Sequence, residues 1–185
     1  MNPEELSNLT FSYGAAWGLK HSERLLTLTA LLGEGMEYDR EVIKVAAYLH
    51  DWGAYPQWAV SGVEHHIRSR QVAESFLAEH GYPPDRTARV LECIEFHHGG
   101  PPNRSVESRL FTDADALDLI GVVGTLRIFS MWPRDLRAAC DAVRRWRETC
   151  INALSFDAAK KIARERIEET DGLMKRFEEE TFGCF

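Results

Sequence analysis

At 185 residues, 44% hydrophobic and 28% charged, the chain is long enough to bury its own core and has the balance of a globular protein rather than a disordered one. A net charge of −7 argues against a nucleic-acid-binding surface, although it leaves room for a local basic pocket that holds a small anion. No stretch approaches the length of a membrane-crossing helix, and the acidic start Met1-Asn2-Pro3-Glu4-Glu5-Leu6 lacks the basic-then-apolar layout of an export signal, so a cytoplasmic location without membrane partners is expected.

Almost every segment reads as helix. Residues 3–19 carry Leu6, Leu9, Phe11, Tyr13 and Trp17 at weak periodicity and predict a first helix. Residues 21–32 predict a second, with Leu25, Leu28, Leu31 and Leu32 on one face and Gly33-Glu34-Gly35 as its end. A third is expected over 39–51, with Asp39 as N-cap, Val42, Val45, Ala46 and Leu49 facing the core, and Gly53 at the stop. Residues 52–63 hold Gly53, Pro56, Ser61 and Gly62 without a period and predict a loop. Its aromatics, Trp52, Tyr55 and Trp58, read either as a lid or substrate wall or as cover for the core edge.

A helix over 64–80 follows, with Ile67, Val72, Phe76 and Leu77 inward and Gly81 as C-cap. Pro83-Pro84-Asp85 starts the next, which runs to about His98 with Val90, Leu91 and Ile94 inward. Gly99-Gly100-Pro101-Pro102 breaks the chain. A helix over 106–130, interrupted near Gly121 or Gly124, precedes two more over 135–152 and 156–181. No alternating strand pattern, repeat or linker appears, so the expectation is a single all-α domain, a helical bundle with a core over 20–127 and C-terminal helices over 135–182. The four cysteines, Cys93, Cys140, Cys150 and Cys184, form no CxxC; they are expected to be free thiols without a metal role, with Cys93 buried.

Six of the seven histidines fall in clusters at expected helix ends or inner faces: His21, His50 beside Asp51, His65-His66, and His97-His98. Asp113-Ala114-Asp115 lies between the apolar pairs Leu110-Phe111 and Leu119-Ile120. An ionised carboxylate on a core-facing helix needs a partner, and imidazoles and carboxylates converging from several helices are what a metal centre in a bundle requires. Imidazole and carboxylate without thiolate suit manganese, iron, cobalt, nickel or catalytic zinc better than magnesium or structural zinc. Taken singly, each cluster reads as a helix cap, a satisfied core histidine or a solvated patch; their concentration argues for convergence.

The order His21, then His50-Asp51, then Asp115, on successive helices, resembles the signature of the HD-domain metal-dependent phosphohydrolases. The resemblance runs from about Lys20 to Arg127, and Lys160-Lys161-Ile162-Ala163-Arg164-Glu165-Arg166 is similar to the C-terminal helix of small bacterial members. It implies that His21, His50, Asp51 and Asp115 hold a divalent transition metal, with Asp113 the alternative to Asp115. It also implies that a second ion can be held by His65 (or His66), His97 and His98, with Asp51 as the bridge. Where relatives carry arginine, this chain has Ala116, so Arg127, Arg68 or Lys20 would have to bind a substrate phosphate. Asp118, Glu64 or a non-ligating histidine would move protons. The activity implied is hydrolysis of a nucleotide or other small phosphate ester by metal-activated water. Gly99-Gly100-Pro101 departs from the Gly-Tyr-Pro of the cyclic-dinucleotide branch. The same ligand set resembles that of HD-fold di-iron oxygenases that cleave C–C or C–P bonds. A third reading is a non-catalytic helical regulator, with Arg144, Arg145 and Arg147 as a partner surface or, more simply, a solvated face. Oligomeric state is left open, a homodimer included.

Overall fold

The computed structural model describes residues 2–185, and every regular element among them is helical. The order is α1 (Pro3–Leu32), α2 (Arg40–Leu49), a short 3-10 turn (Trp52–Ala54), α3 (His65–Glu79), α4 (Pro84–Glu95), α5 (Val106–Leu119), α6 (Val122–Met131), α7 (Leu136–Ala153) and α8 (Asp157–Glu180). The all-α bundle expected from the sequence is present.

α5 is the axis. It packs against α1, α2, α4, α6, α7 and α8, and Glu107, Ser108 and every residue from Leu110 to Asp118 are enclosed, leaving no solvated stripe over its second half. A helix enclosed on all sides must satisfy each polar side chain it carries. Glu107 accepts from the Asp39 backbone N–H at 2.8 Å and from Arg89. Thr112 donates to the Phe96 carbonyl at 2.8 Å. Asp113 accepts from the backbone N–H groups of Ser155 and Phe156, both at 2.8 Å, and so fixes the α7–α8 turn.

The two helices expected over 3–19 and 21–32 are one element with a kink at Ala15, where φ is +50°. A residue from outside the segment packs at the kink. Tyr55 lays its ring on α1 at Gly14 and Gly18, where an added Cβ would come within 2.4 and 2.0 Å of the phenol. The helix is bent and stripped of side chains there to receive it, so His21 sits within the second half of α1 rather than opening a helix.

Two other boundaries move. α2 stops at Leu49, with the His50 N–H still bonded to the Ala46 carbonyl at 2.9 Å; Gly53 lies in the 3-10 turn. α4 stops at Glu95, and His97 and His98 belong to the turn that follows. That turn is braced by Arg104, which donates to the Phe96 carbonyl at 3.1 Å, to Pro101 at 3.0 Å and to Thr112 at 2.8 Å. The interruption expected near Gly121 falls there, where φ is +114°. Arg166 of α8 donates to the Leu117 carbonyl at 2.5 Å and so closes the end of α5.

Arg144 and Arg147 are not a free patch: they tie α7 to Glu178 and Asp171 of α8. Cys93, Cys140 and Cys150 are buried and Cys184 is exposed, all as free thiols. Among the described residues, no helix is long and apolar enough to cross a membrane.

Candidate metal centre

α1 delivers His21, the end of α2 delivers His50 and Asp51, and α5 delivers Asp115. The two imidazoles face each other Nε2 to Nε2 at 3.1 Å. His21 Nε2 also lies 3.2 Å from Asp115 Oδ1 and 3.8 Å from Asp51 Oδ2; His50 Nε2 lies 3.4 Å from the same Asp51 oxygen.

The far nitrogens explain the direction of the near ones. His50 Nδ1–H donates to the Ala47 carbonyl at 3.0 Å, and His21 Nδ1–H donates to Asp118 at 2.7 Å. With Nδ1 protonated, a neutral imidazole presents a lone pair at Nε2. Two lone pairs aimed at one another at 3.1 Å repel unless a cation or a proton stands between them. The charge balance agrees. Burial opposes a charge on His21, but Asp115, Asp118 and Asp51 outweigh it and raise its pKa to about 9. Burial also opposes the Asp51 carboxylate, yet the His50, His21 and His97 imidazoles hold it well below the usual range. Positive charge is favoured at this point, and the donors present fit a divalent ion.

A second set adjoins it. His65 Nε2 lies 3.2 Å from His97 Nε2, and His97 Nδ1–H donates to the Ile94 carbonyl at 2.7 Å, repeating the arrangement at His50. Donor atoms of His65, His97 and His98 lie within 4.8 Å of one another, as do those of His21, His50 and Asp51. Asp51 stands between the sets, its other oxygen 3.7 Å from His65 Nε2.

Asp118 is clamped. Arg24 grips it with two bonds, at 2.5 and 2.8 Å, and Arg127 adds a third at 2.5 Å. Burial works against its charge, but Arg24, His21 and Arg127 bring its pKa down to about 2. A carboxylate so held fixes the orientation of His21 from behind.

The donors open into a cavity of about 530 Å³. Arg127 reaches it and lies 4.8 Å over the Trp17 ring. The far wall is apolar, with Leu119, Met131, Trp146 and Cys150, and Ala116 adds a methyl group where the resemblance led one to look for arginine. Burial pushes the Cys150 thiol up to about 12, so it offers no thiolate.

Other expected residues are elsewhere. Lys20 pairs with Glu23 at 2.6 Å on the exposed side of α1. Arg68 donates to the Trp58 carbonyl at 2.7 Å and to Gln71, holding the loop after α2. Glu64 is exposed at the N-cap of α3 and does not line the cavity. None of the three lines the cavity. Between the alternatives, Asp115 and His65 face the centre; Asp113 faces the α7–α8 turn, and His66 does not line the cavity. His98 is at the mouth, its Nε2 3.9 Å from Asp115. Sequence reasoning missed Arg24, although it stands one turn from His21. It missed Trp146 as a wall because no local pattern says where α7 docks.

Residues 18–120 match the family described as HD domain. No curated protein is similar enough to match. Among solved structures, the chain is similar to YpgQ of Bacillus subtilis in complex with ADP, at 24% identity and a TM-score of 0.70, over 96% of this chain and 94% of that one. It is similar to an HD-superfamily hydrolase from Bacillus thuringiensis at 20% identity and a TM-score of 0.71, over 96% and 95% of the two chains. It is also similar to a predicted HD superfamily hydrolase from an uncultured Thermotogales bacterium, at 22% and 0.66, over 95% and 89%.

Proposed function

The chain belongs to the HD-domain family, and on that premise we propose that it is a metal-dependent phosphohydrolase acting on a nucleotide or other small phosphate ester. The observation that carries the reading is the opposed Nε2 pair of His21 and His50 at 3.1 Å, with the Asp51 and Asp115 carboxylates beside it. His21, His50, Asp51 and Asp115 are the residues that would hold manganese, iron, cobalt or nickel; His65, His97 and His98 would hold a second ion. A divalent ion bound there supplies a Lewis acid that polarises a phosphoryl oxygen and acidifies water. Asp118 keeps the His21 lone pair pointed inward. Arg127 offers the cavity its one guanidinium, the group that would meet phosphate charge. Were a single ion held, His98, which lines the cavity with its Nε2 3.9 Å from Asp115, would be a candidate base. A small phosphorylated substrate, rather than nucleic acid, also agrees with the net charge of −7. The ADP held by YpgQ, similar in fold, makes a nucleotide one member of the class to test.

A second reading has an observation of its own. The two donor sets meet at Asp51, whose oxygens face His50 and His65 separately, and a two-ion cage also suits iron and an oxygen-dependent cleavage. The experiment is elemental analysis of the purified protein, followed by turnover of p-nitrophenyl phosphate with manganese in the wild type and in His50→Ala. Metal-dependent turnover that His50→Ala abolishes supports the hydrolase. No turnover, with two irons per chain and a mixed-valence resonance signal, replaces it with the oxygenase.

A further inference from the structure

The cavity is divided by chemistry. One end is the cluster of histidines and aspartates, and the remainder offers a ligand almost no polar group. Arg127 is its only cationic side chain, and that guanidinium already serves Asp118 at 2.5 Å while lying on Trp17. Thr149 is the one neutral polar side chain in the lining, and its hydroxyl donates to the Arg145 carbonyl at 3.1 Å. The same lining holds Trp17, Met131 and Trp146.

Two kinds of phosphorylated molecule fit this poorly. A polyphosphate brings, beyond the phosphate that the histidine–aspartate end would take, further negative charges for which the remainder offers a single arginine already shared with Asp118, and charge left without a counter-charge when partly desolvated is costly. A sugar phosphate brings several hydroxyl groups that would lose water along a wall whose polar groups are two indole N–H groups and the Thr149 hydroxyl. An aromatic or aliphatic group gains from leaving water against two indoles and a thioether.

We propose that the substrate is a phosphate monoester whose single phosphoryl group enters the histidine–aspartate end while an aromatic or bulky aliphatic alcohol lies along Trp17, Met131 and Trp146. The assignment rests on the phosphohydrolase reading for its reaction, but not for its recognition. In that reaction the oxygen of water bonds to phosphorus as the phosphorus–oxygen bond to the alcohol breaks. One proton of the water leaves on the alcohol and the other on inorganic phosphate.

The test separates recognition from chemistry. Calorimetry on the manganese-loaded protein compares 1-naphthylmethylphosphonate with methylphosphonate, and steady-state kinetics compares 1-naphthyl phosphate with glucose 6-phosphate and ATP. The naphthyl phosphonate is expected to bind about tenfold tighter or more than the methyl one, as an apolar pocket discriminates. Met131→Gln and Trp146→Ala should each erode the difference; Met131 is half-exposed, so its replacement keeps the fold even if Trp146→Ala does not. Naphthyl phosphate should be the best ester by a similar factor. Equal binding of the two phosphonates, or ATP or glucose 6-phosphate as the better substrate, overturns the proposal. Selective binding that depends on Met131, with no ester hydrolysed, upholds the apolar subsite and removes the phosphohydrolase reading instead.

Discussion

Asp118 meets the outer nitrogen of His21 at 2.7 Å, and it does so while gripped by Arg24 and Arg127. The imidazole is therefore aimed from behind by a carboxylate that is itself fixed in place. Replacing Asp118 with Asn keeps the shape but weakens the acceptor and leaves Arg24 without its anionic partner. Metal affinity should fall about 10–100-fold, the range seen when partners of ligand histidines are removed. Titration calorimetry checks it, and Arg24→Gln should follow in the same direction. Unchanged affinity in both variants would show that His21 needs no such support.

Tyr55 against Gly18 gives a test of packing. A methyl group at Gly18 would meet the phenol oxygen at 2.0 Å. Gly18→Ala is expected to destabilise the protein by about 1–3 kcal/mol in urea denaturation, the usual cost of overpacking. Combining it with Tyr55→Ala should cost less than the sum of the two single changes, because the collision is then gone.

Acid should act on Asp39. Burial works against its charge, but the backbone N–H groups of Val42 and Glu41 and the Arg86 guanidinium outweigh it and lower its pKa. A carboxyl whose folded value lies below its unfolded one contributes stability that is complete above the unfolded value, about 3.9. That contribution fades as pH falls through the lower folded value. Asp39→Ala should cost about 1–2 kcal/mol at neutral pH, as loss of a helix cap does. The gap to wild type should narrow below about pH 4, read from denaturation curves taken across that range.

Chelation should lower the melting temperature of the metal-loaded wild type. An ion present at about a hundred times its dissociation constant stabilises the folded state by about 2.7 kcal/mol. His50→Ala should melt at nearly the same temperature with and without chelator. A wild-type protein indifferent to both chelator and added manganese would leave the centre without an ion.

Much of the bundle was legible because it is written locally. Asp39 announces α2, Pro84 announces α4, and the apolar spacings of Val90, Leu91 and Ile94 give the buried face. The kink at Ala15 was not legible, since the ring packed beside it, Tyr55, is 40 residues away in the chain. The candidate site divides in the same way. The residue types that meet at the centre were visible as clusters of histidine and aspartate. Which aspartate of α5 turns inward depends on what surrounds the helix, and the sequence carries no sign that Ser155 and Phe156 take Asp113. Where the basic residues point was hidden for a related reason. Lys20 and Arg68 lie near the ligands along the chain, but Glu23 and the Trp58 carbonyl claim them.

Along α5, Asp113, Asp115 and Asp118 look in three directions, toward the α7–α8 turn, the histidines and the paired arginines. Each residue advances a helix by about 100°, so one codon inserted or deleted upstream of them would turn all three away from their partners together. Length change in this helix should therefore be barred during divergence, while α7, which carries none of the donors but lends Trp146 and Cys150 to the wall, can change those side chains and so reshape what the cavity accepts.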